Sequence, residues 1–342
     1  MKLLYCIALL FLLNSCVKDK PQDPVKTAVS INSDNKVLVI NEGLYPTGNG
    51  SISLYDSESN DVVTDIYLQQ NNAYLGNVVQ SITKYNNNYY VVVNNSNKIV
   101  VVNSTDFIKT ATISGFNSPR YMLPITYNKA YVSDLYANSV QILDLNSNTI
   151  SGSITCMKGT QEMALIYNKA FITNDNSNYC YVVNTTNDVI TDSINIGIGG
   201  SSIVIDKNSK IWVLTSGNSP SNQSGKLVRI NPLTLQIEQS LNFNLGDSPN
   251  KLCINKTRDT LYYLNSGVNQ FLISSNYLPS SPIINQGSKT FYGLGINPKD
   301  YSIYVSDAID YLQKSTIEIY KPNGSFKSNF KAGDISNGFM FE

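Results

Sequence analysis

The sequence predicts an all-β, seven-bladed β-propeller, and three observations carry that expectation. An apolar strand closed by a small polar residue occurs seven times, the copies stand roughly 40 to 53 residues apart, and strand-forming residues alternate with Asn-, Gly- and Ser-rich turns throughout. Each unit can bury its faces only against its neighbours, so a chain of 342 residues built this way folds as one ring rather than as separate domains.

The copies run in order. Val37-Leu38-Val39-Ile40-Asn41 opens the series, and Tyr90-Val91-Val92-Val93-Asn94, Ala130-Tyr131-Val132-Ser133-Asp134 and Ala170-Phe171-Ile172-Thr173-Asn174 follow. Ile211-Trp212-Val213-Leu214-Thr215, Leu261-Tyr262-Tyr263-Leu264-Asn265 and Ile303-Tyr304-Val305-Ser306-Asp307 complete it. Their final residues are separated by 53, 40, 40, 41, 50 and 42 positions. A strand precedes each copy, as in Glu162-Met163-Ala164-Leu165-Ile166, and a polar turn such as Tyr167-Asn168-Lys169 joins the two. Two more strands follow, as in Ser139-Val140-Gln141-Ile142-Leu143-Asp144 and Thr149-Ile150-Ser151-Gly152-Ser153-Ile154, giving four strands per blade. Blade 5 departs by ending in Thr215 and carrying a long loop from Ser216 to Gly225. Trp212 aligns with Tyr131, Phe171, Tyr262 and Tyr304, which predicts packing between blades. A ring must also close, because an open edge strand invites aggregation, and Gly338-Phe339-Met340-Phe341 is expected to pair within the first blade.

The amino terminus reads as an address. Lys2 precedes an apolar run from Leu3 to Leu13, and Asn14-Ser15-Cys16 ends it, a stretch short for a membrane span but suited to a signal peptide. The expected organisation is a signal peptide over residues 1–15, a lipidated tether over 16–35 starting at Cys16, and the propeller over 36–342. Acyl chains contribute about 0.8 kcal/mol per buried methylene, so two or three of them on Cys16 would anchor the chain durably.

Composition excludes several function classes. The 25 basic and 25 acidic residues balance without a basic block, which gives no footprint for nucleic acid. There is no histidine, which removes the usual general base, the commonest transition-metal ligand and every Ser-His or Cys-His pair. No cofactor motif is present, and Gly197-Ile198-Gly199-Gly200 is a turn between blades rather than a dinucleotide fingerprint. Cys156, Cys180 and Cys253 form no disulfide framework.

The strands Ala130-Tyr131-Val132-Ser133-Asp134 and Ala170-Phe171-Ile172-Thr173-Asn174, each followed by a polar turn, resemble the namesake repeat of the YVTN, or YncE-like, propeller family over roughly residues 36–341. Leu13-Asn14-Ser15-Cys16 resembles a bacterial lipobox. Together with the opening Val39-Ile40-Asn41-Glu42-Gly43, these features are similar to surface lipoproteins that capture cobalamin for a TonB-dependent transporter. The resemblance implies an outer-membrane, lipid-anchored binding protein, at the cell surface or in the periplasmic leaflet. It implies a nutrient ligand, such as a corrinoid, and no enzymatic activity of its own.

In such propellers the second strand of each blade runs toward the ligand-binding face. Non-repeating loop residues on that face are the candidate ligand contacts: Tyr45, Arg120, Tyr136, Asn250, Tyr292, Asp310 and Tyr311, with Glu42, Gln161, Glu162 and Lys251 beside them. Tyrosine, amide and arginine offer large rigid contact area with polar handles. The recurring strand-end Asn and Asp residues are expected to bond local backbone. The alternative from another class is a calcium-dependent, lactonase-type hydrolase with Glu42, Asn94, Asn174 and Asp307 as hard oxygen ligands, and a third is an envelope interaction scaffold.

Overall fold

The computed structural model describes residue 31 and residues 33–342, so Cys16, the signal peptide and most of the tether lie outside the described residues. Among the described residues there are seven four-stranded antiparallel sheets, each apolar repeat forming the second strand of its blade. In blade 3, for example, Pro119–Thr126, Lys129–Asp134, Ser139–Asp144 and Thr149–Thr155 lie side by side from the innermost strand outward. Tight turns do the joining: Tyr167 and Asn168 both sit at positive φ between the first two strands of blade 4, a conformation asparagine tolerates well.

The second strands are buried on both faces, because every sheet has a blade on either side. Tyr90, Val92, Ile99 and Val101 of blade 2 pack against Met122, Ala130 and Val132 of blade 3. Trp212 is fully buried between blades 5 and 6, edge-on to Phe271 at 5.4 Å, with its indole N–H donating to Asp206 at 2.9 Å. Burying a large apolar side chain contributes about 1.5–3 kcal/mol, and the repeat supplies such residues at every interface.

The ring closes as expected. Ser336–Phe341 pairs antiparallel with Lys36–Asn41 and becomes the innermost strand of blade 1, placing Val37 opposite Phe341 and Val39 opposite Phe339. The two long spacings have separate causes. Between blades 1 and 2 a short helix, Ile66–Asn71, is inserted, capped by the Asp65 carboxylate accepting from the Leu68 N–H at 3.0 Å. In blade 5 the segment read as a loop is an extended hairpin: Ile211–Asn218 continues past Thr215 and pairs Gly217 with Ser224 and Asn218 with Gln223. Two glycines and a run of small polar residues hid this ladder, since they carry no period-two apolar signal.

Candidate functional site

Every innermost strand begins at the same face, and in every blade its first turn carries a β-bulge. Register shifts fall between Val79 and Ser81, Pro119 and Met122, Thr160 and Met163, Gly200 and Ser202, Asn250 and Cys253, and Phe291 and Gly293. In blade 1 the shift between Ile40 and Asn41 leaves Asn337 as the extra residue. A bulge places two residues opposite one and re-aims a side chain out of the ladder. The bulged positions are therefore Asn337, Gln80, Arg120 with Tyr121, Gln161 with Glu162, Ser201, Lys251 with Leu252, and Tyr292.

These residues converge on the axis. A cavity of about 510 Å³ opens there, within the range that holds a small organic ligand, and Gln80, Arg120, Tyr121, Gln161, Glu162, Ser201, Lys251 and Tyr292 line it with Glu42, Asp175, Asn250 and Tyr311. A smaller chamber of about 200 Å³ continues below, sharing Gln80, Tyr121, Glu162 and Lys251 with the first and reaching Ile40, Ile82, Leu252, Leu294 and Phe339.

Hydrogen bonds hold the walls in one arrangement. The Arg120 guanidinium donates from Nε to Gln161 Oε1 at 3.0 Å and from Nη1 to Gln80 Oε1. Gln161 in turn donates to Asp175 at 2.6 Å. Glu42 accepts from the Tyr292 hydroxyl at 3.1 Å and from Asn337 Nδ2 at 2.8 Å. Tyr311 meets Tyr292 edge-on at 5.6 Å.

Of the residues expected from sequence, Arg120, Asn250, Tyr292 and Tyr311 line the cavity, as do Glu42, Gln161, Glu162 and Lys251. Tyr45, Tyr136 and Asp310 are exposed on loops of the same face but do not line it. The Asp310 carboxylate closes its own turn, accepting from the Leu312 N–H at 2.9 Å and the Gln313 side chain at 2.9 Å. Sequence reasoning misses Gln80, Tyr121, Ser201 and Asp175; the first three share one signal, a polar or aromatic residue breaking the alternation at the start of a first strand, whereas Asp175 directly follows the second strand of blade 4.

Of the four hard ligands considered for calcium, only Glu42 lines the cavity. Asn174 donates to the Met157 and Lys158 carbonyls at 3.0 Å and accepts from Asn176, while Asp307 accepts from the Thr290 and Ile309 N–H groups at 2.9 Å. Asn94 donates to Ser118 Oγ and the Pro119 carbonyl. These three stitch strand ends to neighbouring backbone, and among the described residues no group of three His, Cys, Asp or Glu side chains is placed to hold a metal.

A family model described as a domain of unknown function (DUF5074) matches residues 35–340, nearly the whole propeller. The chain belongs to the DUF5074 family. No curated protein matches the sequence. Among solved structures, this DUF5074 propeller is similar to a quinonprotein alcohol dehydrogenase-like protein from Bacteroides thetaiotaomicron, with a TM-score of 0.69 and 13% identity over 90% of this chain and 78% of that one. A functionally unknown protein from Desulfotomaculum acetoxidans gives 0.67 and 13%, covering 90% and 98%. A candidate 6-phosphogluconolactonase from Bacteroides fragilis gives 0.66 and 11%, covering 90% and 97%. At such identities the likeness concerns the fold alone.

Charge in the DUF5074 cavity is unusual for its depth. Burial pushes the Glu162 carboxyl up to about 7, although the Ile203 N–H, Lys251 and Arg120 all favour the carboxylate. Burial likewise holds the Lys251 ammonium below its ordinary range, against the pull of Glu42 and Glu162, and lifts Tyr121 to about 12. A carboxyl that ionises later in the folded than in the unfolded chain lets the folded state bind more protons between the two values. Stability therefore falls as pH rises from about 4.3, the ordinary glutamate value, to about 7. Glu162→Gln, which keeps an acceptor for Ile203, is expected to melt with the parent at pH 4 and above it at pH 8, by up to a few kcal/mol of stability. Thermal melts across that range check this, and parallel curves at every pH would refute it.

Proposed function

We propose that this protein is a membrane-tethered binding protein that captures a nutrient over the axial cavity and passes it to a TonB-dependent transporter of the outer membrane. The observation that supports this reading most directly is the convergence of bulged, non-repeating positions from six blades on one cavity, in a scaffold that otherwise repeats. Around its mouth the same face presents Tyr45, Tyr136, Tyr311 and Leu312, exposed by 71, 65, 43 and 72%. Large apolar and aromatic side chains at that exposure suit contact with a partner surface. A corrinoid is too large to enter a cavity of about 510 Å³ whole, and would seat its ring on this crown with one arm on the axis. In this reading acyl chains on Cys16 supply the tether.

Calorimetric titration of a corrinoid tests the reading. Truncation of an aromatic contact typically costs about 2 kcal/mol, so Tyr136→Ala, Tyr292→Ala and Tyr311→Ala should each weaken binding about thirtyfold. Equal affinity in all three variants would count against the assignment of the face. In the same preparation, mass spectrometry should find Cys16 acylated and residues 1–15 absent, and a Cys16→Ser protein that stayed on membranes through a high-salt wash would remove the tether.

A further inference from the structure

The axial cavity contains two cations whose direct hydrogen-bond partners are neutral. Arg120 is clamped by the amide oxygens of Gln161 and Gln80. Lys251 Nζ donates to the main-chain carbonyl of Asn337 at 2.9 Å and lies 5.4 Å from the centre of the Tyr292 ring. Neither makes an ion pair among the described residues; pairs such as Lys36–Asp56 and Lys129–Asp188 lie elsewhere. The nearby carboxylates have donors of their own: Glu42 has Tyr292 and Asn337, Asp175 has Gln161, and Glu162 has the Ile203 N–H.

This arrangement has a direction. A guanidinium carries five N–H donors and an ammonium three, so the bonds above leave several unused on each cation. The two glutamines fix the plane of the Arg120 fork, which reduces the ordering an incoming ligand must impose. Arg120 from blade 3 is near enough to Lys251 of blade 6 to disfavour its ammonium, though Glu42 and Glu162 pull the other way, and an anion between the two cations would relieve that repulsion. Part-buried cations whose hydrogen-bond partners are neutral dipoles are costly to a fold, and a planar or tetrahedral oxyanion is the group that satisfies both through charge-assisted hydrogen bonds.

We infer that the axial cavity is an oxyanion site, in which Arg120 and Lys251 grip the carboxylate or phosphate of a small organic acid while Tyr121, Tyr292 and the surrounding amides contact its body. This rests on the cavity being a binding site, as proposed above, and adds the chemical class of what enters it. Glu162 tunes the site. From blade 4 it is faced by Arg120 and Tyr121 of blade 3, the Ile203 N–H of blade 5, Lys251 and Cys253 of blade 6, and, farther off, Glu42 and Asp175. When Glu162 gains a proton a negative charge leaves the cavity, and oxyanion binding strengthens.

Calorimetry on the full-length protein in detergent decides it, with glucuronate, glucose 6-phosphate and inorganic phosphate as probes and glucose as the neutral control. At least one charged probe is expected to bind where glucose does not, and the comparison of glucuronate with glucose 6-phosphate assigns the carboxylate or the phosphate. For glucuronate, which is ionised at both values, affinity should be about tenfold higher at pH 6 than at pH 8, and Glu162→Gln should remove that difference. Arg120→Gln and Lys251→Gln should each weaken binding thirtyfold or more, whereas Arg120→Lys, which keeps the charge but not the fork, should lose less; unchanged melting temperatures show that the variants are folded. Glucose binding as tightly as the charged probes, or no charged probe binding, overturns the inference. A corrinoid that binds while every small anion fails would overturn it and leave the capture reading standing. Small anions that bind without any corrinoid binding would keep the cavity as the binding site and overturn the corrinoid as its ligand.

Discussion

Deleting residues 335–342 is expected to abolish cooperative folding of the whole ring rather than to fray one blade. The closing strand Ser336–Phe341 supplies the innermost ladder of blade 1, and its removal bares the main chain of Lys36–Asn41 at the most buried radius. Phe339 and Phe341 pack edge-on against Tyr304 at 5.8 and 5.2 Å, so the same deletion strips blade 7. The Ser336 hydroxyl donates to Asn41 at 2.6 Å and the Ser306 hydroxyl to the Ser336 carbonyl at 2.5 Å, two buried bonds that would lose a partner. Glu342 accepts from Tyr89 at 2.5 Å and pairs with Lys84, which ties the same terminus to blade 2. Both phenylalanines are half-buried, so losing each costs less than the about 3–5 kcal/mol of a fully buried one, but with the lost ladder this compares with a domain's whole stability of about 5–15 kcal/mol. Circular dichroism melts and size-exclusion chromatography should show an expanded, aggregating chain, while Phe339→Ala alone should melt lower in a single transition. A truncated protein with the parent's melting temperature would show that the ring does not depend on its clasp.

The contrast between what the sequence reveals about scaffold and about site has a geometric origin. The scaffold is legible because burial on both faces forces apolar runs such as Tyr90-Val91-Val92-Val93 to recur at the blade period, and the closing strand betrays itself by the same composition. Loop identity is legible too, but radius is not. Tyr45, Tyr136 and Asp310 stand two or more residues past the end of a second strand and miss the cavity, whereas Glu42 and Asp175 directly follow such strands, Arg120, Asn250 and Tyr292 begin innermost ones, and all five line it. Tyr311 stands as far past its strand yet reaches the cavity, because its backbone turns at positive φ and its ring packs on Tyr292. The bulges that build the site occupy one or two positions per blade, and no single residue type recurs through them, so no repeat and no motif announces them. Gln80 and Ser201 pass in sequence for ordinary polar residues of a strand, and only the two-against-one register exposes their role.

Asp134→Ala is expected to cost about 3–5 kcal/mol of stability, the sum of several orphaned donors, and to leave ligand affinity unchanged. Asp134 is one of the recurring strand-end residues and is fully buried. Its Oδ1 accepts from the N–H groups of Ser118 and Tyr136 at 3.0 Å and Ala137 at 2.9 Å, and its Oδ2 from those of Asn117 and Ser118 at 3.0 Å. One carboxylate thus satisfies four backbone donors, two from the loop entering blade 3 and two from the turn leaving its second strand. Alanine leaves all four without this acceptor, the Ser118 and Ala137 N–H groups buried and those of Asn117 and Tyr136 part-buried, at about 1–3 kcal/mol for each buried one before the loops relax toward water. A melting temperature lower by on the order of 10 °C follows for a domain of this size. Asp134→Asn keeps an acceptor and should lose less, which separates the hydrogen bonds from simple loss of volume. Titration well below the melting temperature supplies the other half of the test. Because the carboxylate points into its own turns and does not line the axial cavity, the alanine variant should bind whatever the parent binds with the same affinity. A variant that melted with the parent but lost binding would instead make the ring of strand-end Asn and Asp residues part of the working surface, and the bulged residues above it would no longer suffice to explain recognition.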